Sequence, residues 1–226
     1  MMIQNIESLA GPATKYDYEA SIAAGVLIGL FSLPILSTAV PNLFGTVWPL
    51  SIIFFLVAPP IGIFIASKLS RVFPFIWQIA KFVLIGGLNA LVDIGVLAAI
   101  QSLFQSSYGI GPDTAIIVVG SVAVSFYVVY KAISFLVANF NSFFWNKYWI
   151  FADKTTKGSR EEFIQFLIVS IVGFLINIFF TAFIFTAVTP LGGMNHQQWG
   201  LLCAAFGGIA GMTWNFVGYK LFVFKK

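Results

Sequence analysis

The sequence predicts an all-α membrane protein with about six transmembrane helices, the last four of which form a tandem, parallel repeat of helical hairpins. Composition is the first observation behind this prediction. The chain has 226 residues, of which 59% are hydrophobic and 9% are charged, whereas soluble domains carry about 25% charged residues. A mean hydropathy of +0.96 leaves too little polar surface for a water-soluble globule, so the bilayer must be the main solvent.

Six apolar runs are the second observation, since a helix needs about 20 apolar residues to cross a bilayer. The runs cover residues 20–40, 47–67, 75–104, 114–149, 162–188 and 198–223. Pro34, Pro59 and Pro60 are expected to kink the first two helices. The fourth run is too long for one crossing, so we place the crossing from Lys131 to Lys147. Residues 114–130 are then expected to form an outer apolar segment that either re-enters the bilayer or extends beyond it.

The sequence divides into an N-terminal part, residues 1–74, and a four-helix domain, residues 75–226. The N-terminal part holds a short tail and two helices, and the domain holds a first repeat at 75–152 and a second at 161–226. Asp17 and Glu19 precede the first apolar run, with Lys15 as the nearby basic residue. This is not the basic start of a cleavable signal peptide, so the first helix is expected to remain in the protein.

The distribution of basic residues predicts the orientation. Of the 12 lysine and arginine residues, all except Lys131 fall on one side of the membrane if the chain crosses it six times. The loops on the other side, residues 41–46, 105–113 and 189–197, contain no lysine or arginine. The positive-inside rule makes the basic side cytoplasmic. We therefore expect a multi-pass protein of the cytoplasmic (inner) membrane with both termini inside.

The repeat, the third observation, is read from two pairs of segments. FVLIGGLNALVDI, residues 82–94, aligns with FLIVSIVGFLINI, residues 166–178, and places Asp93 opposite Asn177. SFFWNKYWIF, residues 142–151, aligns with NFVGYKLFVF, residues 215–224, and places Lys147 opposite Lys220. Both copies run in, out and back, which indicates a parallel repeat about an axis near the membrane normal. Chance similarity among Phe-rich helices is the alternative, and the shared endings at equivalent points of the topology disfavour it.

At these residues the chain resembles the GtrA-like family of small membrane proteins, over about residues 75–226. The family opens a helix with Phe-x-x-x-Gly-x-x-Asn-x-x-x-Asp, and a full match is given by Phe82, Gly86, Asn89 and Asp93. It closes each hairpin with Asn-Phe-x-x-Asn-Arg-x-Trp-x-Phe. The two closing segments carry Ser142, Phe143, Asn146, Lys147, Trp149 and Phe151, and then Asn215, Phe216, Tyr219, Lys220, Phe222 and Phe224. Lysine replaces arginine in both copies. An arginine guanidinium can bind a phosphate in a bidentate manner, whereas a lysine ammonium acts as a point charge.

The resemblance implies a flippase that moves a polyprenyl-phosphate-linked monosaccharide across the membrane for cell-surface polysaccharide glycosylation. A second function stays open: a non-transporting membrane anchor or accessory subunit of a polyprenyl-phosphate glycosyltransferase. The implied partners are a polyprenyl phosphate or its sugar-linked form, the membrane itself and, for the second function, the glycosyltransferase. Under either function the protein is not itself an enzyme.

Ionisable residues inside the membrane are rare and usually functional, which draws attention to Asp93 and Lys131. Each of the two lies a comparable distance along its helix from the lysine expected at the cytoplasmic end of that helix. They should therefore lie at comparable depth in the membrane, and we expect them to pair or to face a shared polar cavity. The alternative for Lys131 is that it extends to the outer headgroups. Asn89, one turn before Asp93, and Asn177, its repeat equivalent, complete the predicted intramembrane polar set.

A second set of candidates lies at the inner interface, where lipid phosphates sit. Lys147 and Lys220 can hold a phosphate, and Asn146 and Asn215 can donate amide hydrogen bonds to phosphate or sugar. Trp149 and Lys81 complete this predicted lipid-phosphate or sugar site. The alternatives are a basic anchor with an aromatic belt for the lysines and interhelical hydrogen bonds for the asparagines.

Other chemistries lack their residues in the sequence. Cys203 is the single cysteine and His196 the single histidine, which argues against a metal site, a disulfide and Ser-His or Cys-His catalysis. No nucleic-acid motif or phosphate-binding glycine loop appears, and no cofactor is indicated. Gly25 and Gly29, like Gly207 and Gly211, form Gly-x-x-x-Gly pairs that suit close helix packing within one chain or between copies in a homo-oligomer.

Overall fold

The computed structural model describes residues 13–39, 41–119, 122–152, 159–193 and 196–224. Six long helices account for most of these residues, together with one short antiparallel sheet and several short helical turns. The chain forms two compact units, residues 1–150 and residues 151–226.

The first unit contains four of the helices. They are α1 (Lys15–Ala39), α2 (Phe44–Leu69), α3 (Phe75–Tyr108) and α4 (Phe126–Trp145), and a π-helical turn, Asn146–Ile150, follows α4. Strands β1 (Ala115–Val119) and β2 (Val122–Ser125) lie between α3 and α4, and a short turn, Pro41–Leu43, precedes α2. Helix α1 packs against α2 and α3, and α3 packs against α4.

Helices α1 and α2 pack closely through glycine. A Cβ atom at Gly25 would lie 3.0 Å from Pro59 Cγ, and one at Gly29 would lie 3.0 Å from Ile52 Cδ1. The first Gly-x-x-x-Gly pair is therefore used for packing within the chain, one of its two predicted uses. Pro34 lies inside α1, and Pro59 and Pro60 lie inside α2, so both helices continue past their prolines.

The segment after α3 differs from the sequence prediction. Residues 114–130 are not one apolar segment: β1 and β2 form an antiparallel hairpin, with Ala115 opposite Ser125 and Val119 opposite Val122. Helix α4 begins at Phe126, five residues before the predicted start of the crossing at Lys131. From Lys81 to Tyr108 α3 rises roughly 40 Å, which exceeds a hydrocarbon core of about 30 Å. That the hairpin after α3 extends beyond the core, where open sheet edges can be hydrated, stays a prediction.

The second unit is a single helical hairpin. It consists of α5 (Ser159–Ala187), a short turn at Leu191–Gly193, α6 (His196–Gly218) and a π-helical turn, Tyr219–Val223. A Cβ atom at Gly211 would lie 2.7 Å from the Gly173 carbonyl oxygen, so the second Gly-x-x-x-Gly pair also packs within the chain. His196 was predicted in a loop and instead begins α6.

Length and composition make three helices of the described residues candidate membrane spans: Phe44–Leu69, Phe75–Tyr108 and Arg160–Ala187. Helix α4 is not among these three, and it carries Lys131, Asn139 and Asn141. Large apolar side chains are exposed along the helices, among them Phe54, Leu175 and Phe179. An exposed apolar surface of this extent requires an apolar environment, which agrees with the predicted all-α membrane fold.

Candidate functional site

The polar side chains of the first unit line one face of α3. Lys81, Asn89 and Asp93 are separated by eight and four residues, so they lie on one side of the helix and span about 18 Å along its axis. Each has a polar partner on α1 or α4. The contacts therefore form three polar layers between otherwise apolar helices.

The first layer joins α3 to α4 through Asp93. Lys131 Nζ forms an ion pair with Asp93 Oδ2, and Ser134 Oγ donates to Asp93 Oδ1 at 2.6 Å. The predicted contact between Asp93 and Lys131 is thus confirmed. The Asp93 side chain is 21% exposed and that of Lys131 41%, so the pair lies at the edge of the helix interface rather than in a sealed core.

The second layer is a chain of amide hydrogen bonds. Asn141 Nδ2 donates to Asn89 Oδ1 at 3.4 Å, and Trp145 Nε1 donates to Asn141 Oδ1 at 3.2 Å. Asn89 therefore faces α4 and is partly buried.

The third layer brings α1 to the N-terminal part of α3. Lys81 Nζ lies 2.5 Å from Asp17 Oδ1, and Trp149 Nε1 donates to the same oxygen at 3.0 Å. The Lys81 ammonium also stands 4.2 Å from the Trp77 ring centroid. Asp17, Lys81, Trp77 and Trp149 are all buried. Two residues predicted to bind a lipid headgroup, Lys81 and Trp149, are therefore engaged by a carboxylate of the chain itself.

Thr14 fixes the carboxylate of Asp17 in place. Its backbone nitrogen and its hydroxyl donate to Asp17 Oδ2 at 2.9 and 2.7 Å, and the Asp17 nitrogen donates back to Thr14 Oγ1 at 3.3 Å. This is a capping arrangement at the start of α1. Burial would raise the pKa of Asp17, but the hydrogen bonds from Lys81 and Thr14 outweigh it and hold the pKa below its usual value.

The π-helical turn at the end of α4 holds Asn146 and Lys147, both buried. Asn146 Nδ2 already donates to Ser142, at 2.8 Å to the carbonyl oxygen and 3.2 Å to Oγ. Asn146 Oδ1 has no hydrogen-bond partner among the described residues. The unsatisfied group of Asn146 is thus an acceptor, which suits a hydroxyl donor better than an ionised phosphate.

The second unit places its predicted residues at the contact between α5 and α6. Asn177 accepts a hydrogen bond from Thr181 Oγ1 at 3.2 Å, and its carbonyl oxygen would lie 2.5 Å from a Cβ atom at Gly207. Asn215 packs on Gly173, where an added Cβ atom would lie 2.7 Å from Asn215 Cγ. Both asparagines therefore face the neighbouring helix.

The two hairpins close in the same way. Lys147 and Lys220 are each the second residue of a π-helical turn, at Asn146–Ile150 and Tyr219–Val223. Each ammonium stands over the phenylalanine four residues earlier, at 5.8 Å from the Phe143 centroid and 5.9 Å from the Phe216 centroid. Lys147 is fully buried and Lys220 is partly buried. A buried lysine differs from the exposed anchor that was the alternative for Lys147.

Several residues of these layers were not predicted. Asp17 enters the sequence analysis only as evidence against a cleavable signal peptide, and Trp77, Ser134 and Asn141 are absent from the predicted sites. Helical spacing offered a signal for two of them. Ser134 lies three residues after Lys131 and therefore on the same helix face, and Trp77 lies four residues before Lys81 and therefore on the same face as that lysine. No group of histidine, cysteine, aspartate and glutamate suited to a metal occurs among the described residues.

A family model for the GtrA/DPMS transmembrane domain matches residues 81–224. The chain belongs to this family. A comparison with curated proteins found no match, and a comparison with solved structures found none. As a GtrA/DPMS-type protein the chain is a membrane protein of the polyprenyl-phosphate sugar family.

The limits of the GtrA/DPMS match bear on the site. The match begins at Lys81 and ends at Phe224, so it includes Asp93, Lys131 and both π-helical turns. It excludes α1 and α2. The Asp17 carboxylate therefore comes from outside the GtrA/DPMS domain, whereas its partners Lys81 and Trp149 belong to that domain.

Proposed function

We propose that this protein moves a polyprenyl-phosphate-linked monosaccharide across the cytoplasmic membrane. The observation that carries the proposal is the series of polar layers along α3 and α4 in a GtrA/DPMS domain. A charged side chain in the hydrocarbon region is costly and usually marks a pathway for a polar substrate. Asp93 and Lys131 form the outer layer, and Asn89 with Asn141 forms the next layer inward.

In this proposal the sugar follows the polar layers while the isoprenoid chain stays in the lipid. Hydroxyl groups of a sugar both donate and accept hydrogen bonds, so they can replace the contacts that Asn89, Asn141 and Asp93 make with one another. The edge position of Asp93 and Lys131, whose side chains are 21% and 41% exposed, supports access from the bilayer. The buried acceptor of Asn146 is a further candidate for a sugar hydroxyl.

Each hairpin offers its own candidate cation for a lipid phosphate: Lys147 closes the first hairpin and Lys220 closes the second. The matching π-helical turns and cation–aromatic contacts support the proposal that residues 75–152 and 161–226 are a parallel repeat. A cation at headgroup level attracts phosphate. The basic side of the membrane is proposed to be cytoplasmic, with both termini inside; Lys154, Lys157, Lys225 and Lys226, which contribute to this bias, lie outside the described residues.

Reconstitution into liposomes tests the function. Purified protein and a panel of undecaprenyl-phosphate monosaccharides are incorporated, and a membrane-impermeant reagent that modifies the sugar is added outside. We expect the protein to carry inner-leaflet lipid to the outer leaflet, so that the reagent modifies more than the half accessible in protein-free liposomes. The same accessible fraction with and without protein, together with co-purification of a glycosyltransferase from cells, supports instead the accessory-subunit function.

A further inference from the structure

The arrangement around Asp17 has the composition of an anion site. One oxygen, Asp17 Oδ1, receives both the Lys81 ammonium at 2.5 Å and the Trp149 indole nitrogen at 3.0 Å. The Trp77 and Trp149 rings lie 4.2 and 5.2 Å from the ammonium and exclude water from it. A cation and a neutral donor that converge on one oxygen are the groups that bind a phosphate oxygen.

The anion that fills this site comes from α1, whereas the donors belong to the GtrA/DPMS domain. We propose that Lys81, Trp149 and Trp77 form a site for the phosphate of a polyprenyl carrier, and that the Asp17 carboxylate occupies it as an internal competitor. The proposal rests on the proposed function for its ligand, the phosphate of a polyprenyl carrier. Helix α1 is then a gate, since the headgroup reaches Lys81 only when Asp17 moves away.

The physical basis is competition between two anions for one buried cation. With Asp17 in place the pair is neutral, and leaving Lys81 buried without a counter-anion is strongly unfavourable. A phosphate can take over that role, but only in the fraction of molecules in which Asp17 has moved away. Its apparent affinity is therefore its intrinsic affinity multiplied by that fraction. Removing the carboxylate charge removes this competition and leaves Lys81 buried without a counter-anion, which a bound phosphate can supply.

The test compares binding of undecaprenyl phosphate in phosphatidylcholine nanodiscs by the wild type and by Asp17→Asn. We expect the variant to bind at least about tenfold more tightly, because closed states of this kind commonly leave roughly 10% or less of the molecules competent. We also expect its thermal stability to fall without ligand and to recover when the lipid is added. Glu19→Gln is the matched control: it makes the same charge change at an exposed side chain paired with Lys15, and its affinity should equal that of the wild type.

The results separate the possible roles of Asp17. Binding that is unchanged or weaker in Asp17→Asn, or a loss of stability that the lipid does not restore, overturns the proposal and makes Asp17 a structural residue. If wild type and variant both fail to bind the lipid, the proposed function fails as well, whereas binding by the wild type with no gain in the variant refutes only the gate. If Asp17→Asn gains as much affinity for inorganic phosphate as it gains for undecaprenyl phosphate, the site is assigned to soluble phosphate.

A second variant keeps the test informative if Asp17→Asn does not fold. Thr14→Ala retains the carboxylate but removes one of the two hydrogen bonds that hold Asp17 Oδ2. We expect a smaller gain in affinity for undecaprenyl phosphate than with Asp17→Asn. No gain in a folded Thr14→Ala protein contradicts the competition.

Discussion

At the scale of single residues, Asp93 and Lys131 provide a test of the outer polar layer. Each charge is compensated by the other, with Ser134 as a second donor to Asp93. Asp93→Asn and Lys131→Met are each expected to lower the free energy of unfolding by roughly 1–3 kcal/mol, because each leaves a partner unsatisfied. The double variant should lose less than the sum of the two, with a coupling of about 0.5–3 kcal/mol.

Unfolding in mixed detergent micelles measures this coupling. Strictly additive losses would mean that the ion pair does not exist in the folded protein. Because the cycle measures stability alone, its result is independent of whether the chain moves a lipid.

The same scale shows which contacts the sequence could predict. The pairing of Asp93 with Lys131 followed from counting helical rise from Lys81 and Lys147, since an α-helix rises by a constant length of about 1.5 Å per residue. The pairing of Lys81 with Asp17 could not be predicted in this way. It joins residues 64 positions apart, and it depends on how α1 packs on α3, which the apolar pattern does not specify.

At the scale of elements, the contact between α5 and α6 depends on the absence of a side chain at Gly207. A Cβ atom there would lie 2.5 Å from the Asn177 carbonyl oxygen, whereas nothing lies within 4 Å of one at Gly208. Gly207→Ala is expected to destabilise the protein by about 1–3 kcal/mol through overpacking, and Gly208→Ala should cause no loss. Thermal unfolding of the two neighbouring variants makes the comparison, and equal melting temperatures would contradict the close packing.

The hairpin before α4 is the element that hydropathy misread. Its residues are apolar enough to extend the fourth run, yet Ile116, Ile117 and Val118 are β-branched and therefore favour strands. The sequence between the strands, Gly120–Ser121, is of the type found in two-residue hairpin loops. Periodicity alone does not separate a short apolar strand from part of a helix. The strand propensity of these residues, together with the glycine between the two strands, would have indicated that this apolar run is not one helix.

At the scale of the whole molecule, the orientation can be tested by cysteine labelling. Cys203 is buried, so a Cys203→Ala background is expected to tolerate new cysteines at two exposed positions, Val72 before α3 and Ser107 near its end. In intact cells a membrane-impermeant thiol reagent should label Ser107→Cys, while Val72→Cys should require permeabilised cells. Labelling of both positions from the same side would contradict a crossing by α3, and the reverse pattern would invert the proposed topology.

The most direct test of the central claim is the rate at which Asp93→Asn moves an undecaprenyl-phosphate monosaccharide in liposomes. Asp113→Asn is the matched control, because it makes the same charge change in the exposed loop before β1. At equal reconstitution, Asp93→Asn should be slower by about tenfold or more, since losing roughly 1.4 kcal/mol of stabilisation along the route has that effect. Asp113→Asn should match the wild type. An unchanged rate in Asp93→Asn would contradict a polar route through α3 and α4.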